Sequence, residues 1–268
     1  MGRKHPLVRL YSRIEFNFGR RSDYSFSVTN AMKDDLYKRT GKRYLKCQSI
    51  KSINVLTNNF IINQPNSAIV LYDRPYSLFK PLTSIEEKHL FLEKLSSEYS
   101  QLEYHCKNET LFTRYSFEND EYQLKPNRPI ILISSTSWTE DEDFQILLDA
   151  LYEFDQNYVE KLIATDNELK IVCFITGKGP LKSHYVRMVE HSYSFRHTRF
   201  VFPWLPADDY PKLLACADLG ICLHKSSSGL DLPMKVLDMF GARLPVCAYR
   251  YQRLDFFFFF FFGIFGFL

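Results

Sequence analysis

From Arg128 onward, short and continuously apolar stretches alternate with amphipathic ones, and this alternation restricts the fold more than any other feature. The apolar stretches are, in order, RPIILISST, LKIVCFIT, RFVFPWL, DLGICLH and LPVCAY. The segment after the first of them places apolar side chains at helical spacing on one face, at Phe144, Leu147, Leu148, Leu151 and Phe154. Apolar strands that alternate with such helices predict an α/β fold, with a parallel sheet covered on both faces.

Three of the predicted strands lead into polar loops that precede the next helix. These loops are SSTSWT (134–139), TGKGP (176–180) and HKSSSGLDL (224–232). Parallel strands all end at the same edge of a sheet, so the three loops should meet there. The first backbone N–H groups of a helix have no partner within the helix, and they attract anions. The sequence therefore predicts a phosphate-binding edge.

The residue types in and just after these loops suit a diphosphate. Glycines allow the backbone to approach a ligand closely, and Ser and Thr hydroxyls donate hydrogen bonds with little bulk. We expect Lys235 to neutralise a phosphate and Asp238, about one turn further on, to accept bonds from sugar hydroxyls. The candidate substrate-binding residues are Ser135, Thr136, Gly177, Gly179, Ser226, Ser227, Ser228, Gly229, Asp231, Lys235 and Asp238.

Each candidate also has a structural interpretation, which stays open at this point. The GKGP stretch fits a plain tight turn, Lys235 fits a solvated surface lysine, and Asp231 fits a cap for the following helix. His224 either faces the ligand or has a structural role. Thr139 and Glu142 have the spacing of a capping box, so we expect the acidic residues of TEDED to begin a helix and most of them to point outward.

Charge and cysteine usage exclude several classes of function. The net charge of +3 is too small to indicate nucleic-acid binding. The six cysteines show no CxxC spacing, and Cys173, Cys222 and Cys247 lie in apolar strands, which favours buried free thiols. No DxD-type motif indicates a metal, so no cofactor is expected. No apolar stretch reaches the roughly 18 residues of a membrane-spanning helix.

The flanking regions are less regular. Residues 1–44 are basic and aromatic, with a predicted helix in TNAMKDDLYKRTGK, and residues 47–67 form an Asn-rich insertion or a retained intron. We interpret residues 76–128 as a polar linker region with one amphipathic helix around Ile85–Leu95. The tail at 251–268 contains seven consecutive phenylalanines, and a frameshift or read-through explains it better than a membrane-inserted tail does.

Several segments closely resemble the chitobiosyldiphosphodolichol β-mannosyltransferase family, which belongs to the GT-B glycosyltransferases. They are SSTSWTEDEDFQILLDAL, ITGKGPL, PWLPADDYPKLLACADLGICLHKSSSGLDLPMKVLDMFG and LPVCA, with VTNAM and LYDRP as earlier landmarks. The resemblance implies two Rossmann-like domains that face a cleft. It also implies that residues 129–250 form an incomplete Rossmann-type C-terminal domain that binds GDP-mannose. In the wider GT-B motif of two glutamates, Asp238 matches the second position, so the roles of Asp231 and Asp238 stay open.

The resemblance also implies a reaction and a location. The family transfers mannose, with inversion and without a bound metal, from GDP-mannose to dolichol-diphosphate-linked chitobiose. This reaction adds the first mannose of the N-glycan precursor, at the cytosolic face of the endoplasmic reticulum membrane. Other dolichol-pathway mannosyltransferases are expected as partners. No catalytic residue is assigned, because we expect the base that deprotonates the acceptor in the N-terminal domain.

A departure from the family pattern leaves a second hypothesis open. Residues 1–75 match only a remnant of the acceptor-side N-terminal domain, so we expect that domain, with its membrane anchor, to be largely missing. The alternative function is therefore a truncated, non-catalytic fragment or paralogue that retains at most nucleotide binding. A Rossmann-type oxidoreductase is excluded, because SSTSWT stands where such an enzyme needs G-x-G-x-x-G.

Overall fold

The computed structural model of this chain describes residues 6–19, 26–27, 30–40, 69–71, 73–161, 169–225 and 233–249. The chain divides into two compact units, which meet in sequence between Asp73 and Arg74. The insertion interpreted at 47–67 and the tail at 251–268 lie outside the described residues. No helix in the described ranges is both long and apolar enough to cross a lipid bilayer.

The described elements of the first unit are two helices and two very short strands. They are α1 (Pro6–Gly19), β1 (Phe26–Ser27), α2 (Asn30–Thr40) and β2 (Ile69–Val70). The two strands pair in parallel, with Phe26 opposite Ile69. Helix α2 confirms the helix predicted in TNAMKDDLYKRTGK, and its Ala31 is buried.

The second unit carries the main sheet. Its elements are α3 (Ile85–Glu98), β3 (Thr113–Ser116), β4 (Glu121–Leu124), β5 (Ile130–Ser135), α4 (Gln145–Lys161), β6 (Ile171–Thr176), α5 (Lys182–His191), β7 (Thr198–Val201), α6 (Tyr210–Cys216), β8 (Leu219–Cys222), α7 (Met234–Gly241) and β9 (Val246–Ala248). Each of the five apolar stretches therefore forms a strand, as the sequence predicts.

All pairs in the five-stranded sheet are parallel, in the order β7-β6-β5-β8-β9. The chain adds strands on one side of β5 and then crosses to its other side with β8. This is a Rossmann-type order, and it confirms the predicted parallel α/β fold. The strand order reverses between β5 and β8, where neighbouring loops leave in opposite directions and open a crevice.

The interior strands are apolar throughout because both faces of the sheet are covered. Side chains alternate between the faces, so Ile131 and Ile133 pack in the core beside α3 and α6, whereas Leu132 packs in the core beside α4. Strand β6 is buried along its whole length. The prediction of buried thiols is confirmed for Cys173 and Cys222 but is wrong for Cys247, which is exposed on strand β9.

Residues 76–128 do not form a linker throughout. Helix α3 confirms the predicted helix, and its Phe91, Leu92 and Leu95 belong to the same core as Ile131 of the sheet. Strands β3 and β4 pair antiparallel and lie against this helix. The polar composition hides this layer because the sequence positions between the core residues carry solvated charges, which dominate the average.

An ion pair ties together the starts of the two strands that border the crevice. The Arg128 guanidinium donates to both carboxylate oxygens of Asp218, at 2.7 and 2.5 Å, and the Ile131 N–H donates to Asp218 at 2.8 Å. Burial alone would raise the pKa of Asp218, but these bonds outweigh burial and lower it. Asp218 immediately precedes β8, so the pair fixes β8 against β5 below the crevice.

Candidate functional site

The loop after β5 forms one wall of the crevice, and it is held rigidly. The Thr136 N–H donates to the carbonyl of Thr176 at 2.9 Å, and the Thr136 hydroxyl accepts from the Trp138 N–H at 2.8 Å. Trp138 has a left-handed backbone with φ of 51°, and its ring is fully buried. Its indole N–H donates to the carbonyl of Gly177. This loop is therefore bonded directly to the loop after β6.

The two glycines of GKGP serve the contact between these loops. A Cβ atom at Gly177 would lie 1.8 Å from the carbonyl oxygen of Thr136, and one at Gly179 would lie 1.7 Å from that of Ser137. Gly177 also has a φ of 138°. The sequence predicted that these glycines allow close approach of a ligand. In the structure the close approach is to the neighbouring backbone, so their direct role is to pack two loops.

Glu142 is the largest departure from the sequence prediction. Helix α4 begins at Gln145, so Glu142 precedes the helix and does not form a capping box. Its side chain is 2% exposed and turns inward. One carboxylate oxygen accepts from the Thr136 hydroxyl and from the Ser137 N–H, the latter at 3.1 Å. The sequence predicts that most of these acidic residues point outward, and Glu142 is one that does not.

Lys235 meets this buried carboxylate from the opposite wall. It is the second residue of α7, and its ammonium group donates to the other carboxylate oxygen of Glu142. The Lys235 side chain remains 28% exposed. The interpretation of Lys235 as a plain surface lysine does not fit this contact. The structure brings Thr136 and Lys235 to the same carboxylate, although 93 positions separate Lys235 from Glu142.

Asp238 lies one turn further along α7, in a desolvated position. Burial raises the pKa of Asp238 to about 6. Its charge also acts on Tyr210, whose pKa is raised mainly by burial and further by this nearby carboxylate. The Tyr210 hydroxyl donates to Ser135 at 3.0 Å. Tyr210 was not among the predicted residues, and its position at the start of a short helix gave no signal for it.

His224, at the end of β8, pairs with the loop after β5. Its Nδ1 lies 3.1 Å from a carboxylate oxygen of Asp141, and its backbone forms an antiparallel bridge with Glu142. The Lys225 N–H donates to the Asp141 carbonyl at 3.0 Å. Hydrogen bonding, first from Thr139, outweighs burial and lowers the pKa of Asp141. These contacts favour the structural interpretation of His224.

The remaining candidates lie outside the described residues. They are Ser226, Ser227, Ser228, Gly229 and Asp231. Within the described ranges, no three His, Cys, Asp or Glu side chains are placed to share a metal ion. The described site therefore offers one cation held by a buried carboxylate, one desolvated carboxyl group and two linked loops.

We expect the free energy of unfolding to respond to Asp238 in a pH-dependent way. Its folded pKa of about 6 exceeds the free value of 3.8, so the stabilisation by the protonated form is complete below 3.8 and is lost as pH rises through about 6. Asp238→Asn should therefore raise the free energy of unfolding at pH 8 by about 1 kcal/mol, a value reduced because the side chain is partly exposed.

Urea unfolding of Asp238→Asn and of the unchanged chain at pH 4 and pH 8 checks this. The two should differ little at pH 4, and a stability gain that is equal at both values would contradict the assignment. Asp208→Asn, at an exposed position before α6, should change the stability by less than about 0.5 kcal/mol at either pH.

Comparison with known proteins shows strong similarity along nearly the whole chain. The chain is 42% identical over 260 residues to the chitobiosyldiphosphodolichol β-mannosyltransferase of Mus musculus and 40% identical over 251 residues to that of Candida glabrata. It is 38% identical over 272 residues to the UDP-glycosyltransferase TURAN of Arabidopsis thaliana. These matches cover 93–94% of this chain and 46–52% of the relatives. The chain thus spans about half the length of the curated relatives it matches.

Two further comparisons add little. No family model matches the chain. The pneumococcal O-GlcNAc transferase GtfA, solved with UDP and GlcNAc, overlaps 91% of this chain and 33% of its own, at 10% identity and a TM-score of 0.47. This overlap is loose, so the fold rests on the strand order of the chain itself.

Proposed function

We propose, from the relationship of this chain to the chitobiosyldiphosphodolichol β-mannosyltransferases, that it carries the donor-binding part of such an enzyme. The identity of 42% over 94% of the chain is the observation that carries this proposal. The reaction is transfer of mannose from GDP-mannose, with inversion, to dolichol-diphosphate-linked chitobiose. Residues 129–250 form the donor side, and residues 1–75 belong to the acceptor side of a GT-B arrangement.

The crevice between β5 and β8 suits the leaving group of this reaction. Departure of GDP from the anomeric carbon places negative charge on the diphosphate. The Lys235 ammonium and the backbone amides at the start of α7 can stabilise that charge as it develops. They are fixed before the reaction, so little reorganisation is needed. Asp238, a turn further along α7, would accept hydrogen bonds from sugar hydroxyls of the donor.

The acceptor side of the reaction requires a base. In an inverting transfer, the acceptor hydroxyl attacks the anomeric carbon from the face opposite GDP, forms the new C–O bond and gives up its proton. We assign no described residue to this step and expect the base on the acceptor-side domain. We further propose that the enzyme acts at the cytosolic face of the endoplasmic reticulum membrane, with other dolichol-pathway mannosyltransferases as its neighbours.

Calorimetric titration of the full 268-residue chain with GDP and with UDP tests the donor assignment. GDP should bind more tightly than UDP. Lys235→Ala should weaken GDP binding by about 1–3 kcal/mol, the scale for loss of a charged hydrogen bond. Arg187→Ala, an exposed cation on α5, is the control and should leave the affinity unchanged. Tighter binding of UDP would overturn the GDP-mannose assignment.

A transfer assay separates the enzyme from a nucleotide-binding protein. The chain is incubated with GDP-mannose carrying a radioactive mannose and with a short-chain lipid diphosphate bearing chitobiose. Formation of a labelled trisaccharide lipid supports the mannosyltransferase. Binding of GDP without transfer would leave nucleotide binding as the function of this chain, in agreement with the alternative that its sequence raises.

A further inference from the structure

Glu142 contacts three segments beside the crevice: the loop after β5, the residues after β8 and helix α7. Its carboxylate accepts from Thr136 and Ser137 in the loop after β5, and its backbone bridges to His224 at the end of β8. Its second oxygen accepts from Lys235 on α7. Glu142 therefore connects both walls of the crevice: its side chain bonds to the loop after β5 and to α7, and its backbone bonds to His224 after β8.

The burial of this carboxylate needs an explanation. An ionised group removed from water loses hydration free energy, and it is retained only where partners replace the lost water. A carboxylate that only began a helix would do so equally well while exposed. Glu142 is 2% exposed, whereas Lys235 keeps 28% of its side chain accessible. The arrangement hides the carboxylate and leaves part of the lysine side chain facing solvent.

Such an arrangement prepares Lys235 for an anionic ligand. A free lysine side chain has about 2 kcal/mol of rotamer entropy, which it loses when it is fixed against a ligand. The bond to Glu142 restricts Lys235 before any ligand arrives, and restriction in advance improves affinity. An ammonium group has three N–H donors, so a bond to Glu142 leaves donor capacity for phosphate oxygens.

We propose that Glu142 is a positioning residue of the donor site, which fixes the Lys235 ammonium in the β5–β8 crevice for the diphosphate of the sugar nucleotide. This rests on the proposed function, because it assumes that a nucleoside diphosphate is bound there. Glu142 itself does not touch the ligand. Its contribution acts through Lys235, and it should therefore affect the recognition of phosphate but not that of the nucleoside.

Calorimetry on the full chain tests this by giving two dissociation constants, one for GDP and one for guanosine, and the ratio between them. Glu142→Gln keeps the side-chain volume and an acceptor for Thr136 and Ser137, but it removes the charge that holds Lys235. We expect GDP binding to weaken about tenfold, while guanosine binding changes less than twofold. Glu140→Gln, an exposed position in the same loop, is the matched control and should leave both constants unchanged.

The double variant Glu142→Gln/Lys235→Gln should bind GDP no more weakly than Lys235→Gln alone, because residues in contact are not additive when one acts through the other. Glu142→Asp provides a second route if the glutamine variant fails to fold. It keeps the charge but moves it away from Lys235, because the side chain is one carbon shorter. We expect it to reduce the preference for GDP over guanosine about threefold.

The outcomes separate the two proposals. Equal weakening of GDP and guanosine would show that Glu142 only maintains the fold, and an unchanged ratio in both Glu142 variants would likewise overturn its positioning role. In either case the proposed function stands. Failure of the unchanged, folded chain to bind GDP would overturn the proposed function and the role of Glu142 together.

Discussion

Replacement of Lys235 by alanine is expected to lower the free energy of unfolding by about 3 kcal/mol. The change leaves the Glu142 carboxylate buried with its two loop donors but without a counter-charge, and an uncompensated buried charge is costly on this scale. Urea unfolding at pH 7, followed by tryptophan fluorescence, measures the loss. The dependence of the free energy of unfolding on urea concentration should stay the same, because the surface exposed on unfolding is unchanged.

Two variants make this expectation specific. Addition of Glu142→Gln to Lys235→Ala should recover most of the loss, because no buried charge then remains. Lys225→Ala removes a neighbouring cation whose partner Asp143 is 3.8 Å away and exposed, so it should cost no more than about 0.5 kcal/mol. If Lys235→Ala lowered the free energy of unfolding by only this much, the Glu142 carboxylate would have to become hydrated when the lysine is removed.

Alanine at Gly179 or Gly177 is expected to destabilise the chain by at least about 3 kcal/mol. Each added Cβ atom would lie within 2 Å of a carbonyl oxygen in the loop after β5, at 1.7 Å for Gly179 and 1.8 Å for Gly177. Two backbone segments would have to separate, which costs more than the displacement of a flexible side chain. Gly177 adds the strain of a φ of 138°.

Thermal unfolding of the two glycine variants checks this, with Lys178→Ala between them as the control. Lys178 is exposed and lies with its ammonium group 3.9 Å from the ring centre of Trp204, so its loss should cost less than about 1 kcal/mol. Alanine variants as stable as the control would mean that the loops after β5 and β6 separate easily.

The strands and most helices could be predicted from the sequence because local patterns encode them. An apolar stretch such as Ile171–Thr176 has few alternatives to a buried strand, and a helical face such as that of α4 repeats over several turns. The layer formed by α3 and the β3–β4 pair was harder to predict. Only a few of its residues are apolar and face the core, and the charged residues between them hide this pattern.

The candidate site was predicted only in outline. The strand ends bring the loops after β5 and β6 into contact, as the sequence predicts, but the direction of Glu142 depends on Lys235, which lies far along the chain. Its local sequence satisfies the pattern of a capping box, so nothing nearby indicates burial. Tyr210 is similar, because its hydroxyl bonds to Ser135 across 75 positions and only the fold brings the two together.

The pairing of β5 with β8 also has a consequence for the order in which the chain acquires its structure. Arg128 and Asp218, which clamp these strands, are 90 positions apart, whereas β5, β6 and β7 follow one another along the chain. Closure of a long loop costs entropy before any contact repays it, and distant contacts slow folding. On the ribosome, β5–β7 can pair while β8 is still inside the exit tunnel, so we expect the crevice to form last.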